Sequence, residues 1–215
     1  MFIRIFNYLK MSPILTGLAF LTLTLFLSLA EVVTDKESNF AWDDQIRILI
    51  NSIRTSQLDH QIEFLTNFNG TAGVAVFSLI VLGILIYNKW FREIRFYLAS
   101  VIGASILFVS IKYMVQRIRP SLEIVDIGGY SFPSGHTTLS TATSLALYFI
   151  FIRRLKSKTL KILLVLICLA WPLVIAASRV YLDVHWLSDV LAGLGLGVFW
   201  VTVLTFFFKK SEVRK

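Results

Sequence analysis

The stretch LKILLVLICLAWPLVIAASRVYLDVHWLSD, residues 160–189, decides the fold. Its first part, residues 160–177, carries a single charge, Lys161, at its edge. A helix rises about 1.5 Å per residue, so about 20 apolar residues cross a hydrocarbon layer about 30 Å thick. A helix of a soluble bundle would show a polar stripe every three or four residues, and this run shows none. It reads as a membrane span. Its far end changes character abruptly to Ser178, Arg179, His185 and Asp189.

Five more runs of this kind flank it, which gives six expected spans at about 14–33, 71–87, 95–113, 136–152, 160–177 and 187–208. The 215 residues show no low-complexity linker and no repeat period, so residues 1–215 form one domain with a motif-bearing core at about 95–208. The fold class is an all-α polytopic membrane helix bundle of six transmembrane helices. Between the first two spans lies the one long connection, residues 34–70. There Ile46, Leu49, Ile50, Ile53, Ile62 and Leu65 recur at helical spacing among Asp44, Arg47, Arg54, Asp59 and Glu63. That pattern predicts an amphipathic helical segment, either a cap on the bundle or a lid over a site.

Charge gives the orientation. The net charge of +8 would suggest nucleic-acid binding in a soluble chain, but here the cations sit between spans and no nucleic-acid partner is expected. Arg4, Lys10, Lys89, Arg92, Arg95, Arg153, Arg154, Lys156, Lys158, Lys161, Lys209, Lys210, Arg214 and Lys215 fall on one side and make 14 of the 21 cations. That side is cytoplasmic, with both termini on it. The first span also contains Ser28-Leu29-Ala30, which is similar to a signal-peptidase site, although its long apolar run favours an uncleaved anchor. The single cysteine, Cys168, excludes an intramolecular disulfide.

Three polar clusters fall on the outer side. Lys112, Arg117, Arg119 and Pro120 follow the third span, Pro133-Ser134-Gly135-His136 opens the fourth, and Ser178-Arg179 with His185 and Asp189 bridges the last two. A charge near a membrane core costs about 2.5–3.5 kcal/mol on the lenient insertion scale, so such a cluster points to function. Taken singly, a Lys or Arg at a span end is an anchor that snorkels, and Arg117 reads as a surface cation of this kind. Tyr113, Tyr130 and Tyr181 read as interface aromatics, and His60 as an ordinary polar residue. Taken together, Lys112, Arg119 and Arg179 form a pocket for a multiply charged anion. Ser134 and Gly135 add a helix start, where N–H groups and the dipole favour the same anion. His185 and Asp189, four residues apart, share a helix face, so the carboxylate can fix the imidazole tautomer. With His136 from another helix, two imidazoles suit a two-step displacement, one attacking phosphorus and one protonating the leaving oxygen. Too few carboxylates stand near for a metal, and neither a metal nor a cofactor is expected.

These residues, as spaced, resemble the type-2 phosphatidic acid phosphatase superfamily. Lys112 and Arg119-Pro120 fit Lys-x6-Arg-Pro, residues 133–136 are Pro-Ser-Gly-His, and Ser178-Arg179, His185 and Asp189 fit Ser-Arg-x5-His-x3-Asp. The motifs cover residues 112–189, while the first two spans match only as membrane helices. The resemblance implies His185 as a nucleophile forming a phosphohistidine, Asp189 as its orienting group and His136 as the general acid. Lys112, Arg119, Ser134, Gly135 and Arg179 would hold the phosphoryl oxygens. It implies a metal-independent phosphatase of the bacterial cytoplasmic membrane, its site facing outward and its substrate a lipid phosphate among the membrane lipids. Undecaprenyl pyrophosphate, released on the outer face, is the first expectation, ahead of phosphatidylglycerol phosphate and phosphatidic acid. A lipid phosphotransferase and a non-enzymatic phospholipid-binding or transport protein are the rival readings. The haloperoxidase relatives share the pocket but are soluble.

Overall fold

The structure, a computed structural model, describes residues 13–35, 40–120 and 128–210. Arg4, Lys10, Arg214 and Lys215 of the charge argument lie outside the described residues, as do the side chains of Lys209 and Lys210. The described residues form eight helices and no strand: α1 (Pro13–Thr34), α2 (Ala41–Ile53), α3 (Ser56–Asn67), α4 (Thr71–Tyr87), α5 (Phe91–Val115), α6 (Gly135–Phe151), α7 (Lys158–Tyr181) and α8 (Leu187–Lys210).

A helix stands at each of the six expected positions. Four of them, α1, α5, α7 and α8, are long and apolar enough to cross a membrane. The 17-residue α4 qualifies only together with α3, from which it bends by 41°. The remaining helix, α6, also has 17 residues, about 26 Å at 1.5 Å each, and is rich in Ser and Thr. Its position explains its composition. It packs on α5, α7 and α8, with Thr137, Thr138, Ser140, Thr141, Ala142, Thr143, Ser144 and Ala146 buried. Several hydroxyls bond back to their own helix, Thr138 Oγ1 to the Ser134 carbonyl at 2.8 Å and Thr141 Oγ1 to the Thr137 carbonyl at 2.7 Å, while Thr143 Oγ1 has no partner among the described residues. A polar helix is tolerable at the centre where its donors find acceptors without water.

Small residues set how closely α6 meets α8. A Cβ on Gly193 would stand 2.8 Å from the Ser134 carbonyl oxygen, and one on Gly197 would stand 2.7 Å from Thr141 Cβ. This Gly-x3-Gly seam lets the two backbones approach, and so brings the start of α6 beside the start of α8. Helix α1 runs along α8, with Phe26 and Leu29 buried against Phe132, Ala192 and Leu196. Outward faces are aliphatic, as at Leu79, Ile80, Leu166, Ile167 and Leu173, a surface that suits lipid and would be an aggregation hazard in water.

Residues 34–70, expected to hold one amphipathic segment, form two helices. Thr55 breaks the run and caps α3, its side chain accepting from the Leu58 N–H at 3.3 Å. Together α2 and α3 lie over one end of α7 and α8, with Ile46 and Ile50 packed on Ala176, Val180 and Val190. Tyr181, expected in the interface belt, is buried there, with Arg54 over its ring at 5.5 Å. Arg47 Nε reaches both carboxylate oxygens of Asp183, at 2.9 and 3.1 Å. Burial pushes the Asp183 carboxyl up, and Arg47 works against that shift.

Candidate active site

The end of the bundle under α2 and α3 collects the C-termini of α5 and α7 and the N-termini of α6 and α8. Helix α5 ends at Gln116, whose left-handed backbone (φ 55°) turns the chain sharply. The next residues then run across the bundle end, which brings Arg117 and Arg119 over α8. Ser134 caps α6 with its side chain, while its own N–H donates to the Asp189 carbonyl at 3.0 Å. Two of the three sequence clusters are thus tied by one backbone bond.

His185 sits in the short turn between α7 and α8 and is buried. Its Nδ1 lies 3.3 Å from Asp189 Oδ2, and Arg119 Nη1 lies 3.4 Å from its Nε2. A guanidinium can only donate, so Nε2 is the acceptor and the ring proton belongs on Nδ1, facing Asp189. Burial holds the imidazole well below the usual histidine range, and Lys112, Arg179 and Arg119 push it further down. The ring is neutral, with its lone pair on Nε2, on the side of Arg119. His136, in the first turn of α6, lies within electrostatic reach of Arg179, His185, Lys112 and Arg119.

The expected phosphate ligands differ in what they have to spare. Lys112 Nζ donates to the carbonyls of Tyr130 and Ser131, at 2.5 and 3.2 Å. Arg119 is fastened to main-chain carbonyls, to Val184 at 2.6 Å, Gly129 at 3.0 Å and Gly128 at 3.4 Å. Arg179 is different. It is 2% exposed, and its one hydrogen bond among the described residues runs 3.4 Å from Nη1 to Thr66 Oγ1. Its Nε and Nη2 are buried without a hydrogen-bond partner among the described residues. Two uncommitted guanidinium donors side by side match two oxygens of one oxyanion. Gly135 has a packing reason beyond any anion, since a Cβ there would stand 2.7 Å from the Phe108 ring.

With this geometry in hand, residues 93–212 match the PAP2 superfamily, more than half of the chain. The chain belongs to the PAP2 superfamily. Over 108 residues it is 32% identical to phosphatidylglycerophosphatase B of Bacillus subtilis (strain 168), a stretch that is 49% of this chain and 50% of that protein. In fold it is similar to the crystal structure of a transmembrane PAP2-type phosphatidylglycerolphosphate phosphatase from Bacillus subtilis. That match has a TM-score of 0.81 and 23% identity, and covers 89% of this chain and 96% of the other. LpxE of Aquifex aeolicus is a more distant match, with a TM-score of 0.59, 20% identity, and 78% and 96% of the two chains covered.

Around the PAP2 motif residues stands a second set that sequence reasoning passed over. Arg117, expected at the surface, has a side chain only 9% exposed. Its Nη1 donates to Asp189 Oδ1 at 2.6 Å and to Ser188 Oγ at 2.7 Å, and its Nη2 to Asp43 Oδ2 at 2.8 Å. Asp43, buried at the start of α2, also accepts from the Ser188 N–H at 2.9 Å and the Ser188 hydroxyl at 2.5 Å. Asn69 Nδ2 holds the His136 carbonyl at 2.8 Å, and its Oδ1 accepts from Trp171 Nε1 at 3.3 Å. The α2–α3 segment therefore touches all three motifs, through Asp43, Thr66 and Asn69. Both carboxylates at the site are bound to Arg117, and the described residues hold no group of three or more His, Cys, Asp or Glu placed to ligate a metal. One signal for Asp43 was available. It lies three residues before Ile46 and seven before Ile50, so a carboxylate falls on the apolar stripe of α2.

Proposed function

We propose that this chain is a membrane-embedded lipid phosphatase that cleaves a phosphomonoester or pyrophosphate through a phosphohistidine. The observation that carries this reading is Arg179, whose Nε and Nη2 are buried without partners among the described residues, near a neutral, carboxylate-backed imidazole. A buried guanidinium with unspent donors is unfavourable unless an oxyanion takes them. Phosphate matches that need in charge and geometry.

In the proposed reaction Nε2 of His185 attacks phosphorus. The N–P bond forms as the P–O bond to the leaving group breaks, and His136 gives its proton to the departing oxygen. The phosphate's negative charge offsets the cations around His136 and favours its protonated form once substrate is bound. His136 then takes a proton from water, whose oxygen attacks phosphorus as the N–P bond breaks. Arg179, with Lys112, Arg119 and the start of α6 at Ser134 and Gly135, stabilises the charge that develops on the equatorial oxygens. Asp189 stabilises the positive imidazole of the intermediate. No step calls for a metal, so turnover is expected to persist in excess chelator.

The substrate belongs in the bilayer, because the site lies at one end of a bundle whose sides are apolar. Phosphatidylglycerophosphate is the first candidate, since both the curated relative and the solved structure of high fold similarity are named for it. Undecaprenyl pyrophosphate, the expectation from the sequence, comes second. We read the chain as a single domain with α1, α4, α5, α6, α7 and α8 as six spans, α6 being shielded at the centre and α4 extended by α3. Both termini would be cytoplasmic and the site outward.

The test is phosphate release by purified protein in detergent from a panel of lipid phosphates and pyrophosphates, alongside His185→Ala. The expected loss is on the order of a thousandfold or more on every substrate. Retained turnover in His185→Ala would sink the nucleophile assignment. Transfer to an added alcohol in preference to water would favour the phosphotransferase, and binding without turnover by the unaltered protein would favour the non-enzymatic reading.

A further inference from the structure

We infer that Asp43, on the α2 cap, is a positioning residue for the phosphoryl-transfer step, acting on His185 through Arg117 and Asp189. This inference rests on the reading of His185 as the nucleophile. It starts from an unbroken chain of short contacts. Asp43 Oδ2 accepts from Arg117 Nη2 at 2.8 Å, Arg117 Nη1 donates to Asp189 Oδ1 at 2.6 Å, and Asp189 Oδ2 faces His185 Nδ1 at 3.3 Å. Ser188 closes a ring, its hydroxyl accepting from Arg117 and donating to Asp43. All of these groups are buried or nearly so, with side-chain exposures of 2% for Asp43, 9% for Arg117, 0% for Asp189 and 3% for His185.

The charge balance explains why a third member is present. Asp189 and Arg117 alone would sum to zero, which would leave little negative charge behind His185 when phosphorylation makes its ring cationic. Asp43 adds a second carboxylate on the far side of the guanidinium. The assembly then carries one net negative charge while Asp189 keeps an oxygen for Nδ1. In a dry site such a charge acts with little screening. Orientation follows from the same bonds. Arg117 is held from both sides and by the Trp186 ring at 5.3 Å, and Asp189 Oδ2 also accepts from the Trp186 N–H at 3.0 Å. The carboxylate plane is therefore fixed before substrate arrives.

A lid that swings on each turnover is the alternative role for this segment, and the bonding argues against it. Opening α2 would leave Arg117 with one buried carboxylate and Ser188 without an acceptor, and losing one partner of a buried ion pair strands the other charge without water. The same segment also holds Arg179 through Thr66 and the His136 carbonyl through Asn69.

The experiment compares Asp43→Asn with two controls in the full-length protein. Asp44→Asn makes the same charge change one residue on, at an exposed position. Ile50→Ala loosens the packing of α2 on α7 and α8. Asp43→Asn is expected to lower kcat about ten- to a hundredfold, the scale seen when outer partners of ligating groups are removed elsewhere, with KM within about twofold. Asp44→Asn should match the unaltered protein, and Ile50→Ala should lower the melting temperature while keeping most of kcat. In an Arg117→Gln background, Asp43→Asn should add no further loss, because the two act in series. Unchanged kcat in Asp43→Asn would overturn the inference, and so would an equal kcat loss in Ile50→Ala at equal loss of stability. If Asp43→Asn does not fold, Ser188→Ala opens the same ring without changing charge. It should then lower kcat several-fold at constant KM, and full activity in it overturns the inference. His185→Ala in the same preparation separates the two levels. An inactive His185→Ala beside a fully active Asp43→Asn sinks this inference alone, and an active His185→Ala sinks the reaction it rests on.

Discussion

At one end of the bundle Arg117 bridges Asp43 and Asp189 with a side chain 9% exposed, while at the other end Arg154 pairs with Glu93 with a side chain 31% exposed. Both arginines make contacts of 2.6 Å to a carboxylate. Both lie against a tryptophan, Trp186 at 5.3 Å and Trp90 at 4.1 Å. Residue type and kind of partner are therefore the same, although Arg117 holds two carboxylates and Arg154 one, and the larger difference is water. At the Arg154 end the charges stay within reach of water. At the Arg117 end they are dry, and each unpaired donor is costly enough that its survival needs a ligand or a task. A cavity of about 470 Å³ at the Arg154 end, lined by Arg92, Glu93, Phe96 and Arg154 among others, makes the same contrast. Space alone does not make a site there, because two of the lining arginines bond to protein groups, Arg92 to the Phe208 carbonyl and Arg154 to Glu93 and the Ile150 carbonyl.

The comparison breaks outright if the two ends face the same compartment. With Cys168→Ala as background, cysteines placed at Gly128, which has open space around it, and at exposed Lys156 should differ completely towards an impermeant thiol reagent. Gly128→Cys should label in intact cells, and Lys156→Cys only after permeabilisation. The reverse pattern would invert the topology drawn from loop charge.

Arg179→Ala is the next largest effect. Removing a preorganised donor from a developing oxyanion costs about 10²–10³-fold in rate elsewhere, and a loss of that order in kcat/KM is expected here for every lipid phosphate. Folding should suffer less than for most buried arginines, because Nε and Nη2 have no hydrogen-bond partner among the described residues. A variant that lost stability yet kept its rate would make Arg179 a structural residue and remove the main support for an oxyanion site.

Apolar runs were enough to place a helix at each of the six expected positions, four of them long and apolar enough to cross a membrane, since a lipid-facing helix such as α7 must be apolar along its length. The eleven motif positions were legible from their spacing, because phosphate chemistry needs particular side chains at particular helix ends. The α2–α3 cap was legible only as helix. Its partners lie far away in sequence, Asp43 meeting Ser188 across 145 residues and Thr66 meeting Ser178 across 112. Nothing local announces such a pairing beyond a carboxylate on an apolar stripe. Arg117 was misread for a related reason. A cation at a span end is usually an anchor, and only the turn at Gln116 sends this one inward. The polar centre of α6 was called a span on its apolar share, whereas the structure shows that its neighbours on α5, α7 and α8 make it tolerable in a membrane protein.

The smallest expected effect lies at the far end, and it sharpens the contrast most directly. Arg154 has a carboxylate at 2.6 Å, a tryptophan face at 4.1 Å and a bond to the Ile150 carbonyl, three partners beside the four of Arg117. Counting contacts would therefore predict a comparable loss on truncation. Hydration predicts otherwise. Ion pairs with this much solvent contribute about 0.2–1 kcal/mol, reduced further by salt. Arg154→Ala should lower the melting temperature slightly and leave phosphate release within about twofold. Arg117→Ala, which strands two buried carboxylates, should cost several kcal/mol by the same physics. Equal losses from the two alanines, measured as thermal stability in one detergent, would mean that pairing rather than burial decides what an arginine does in this fold.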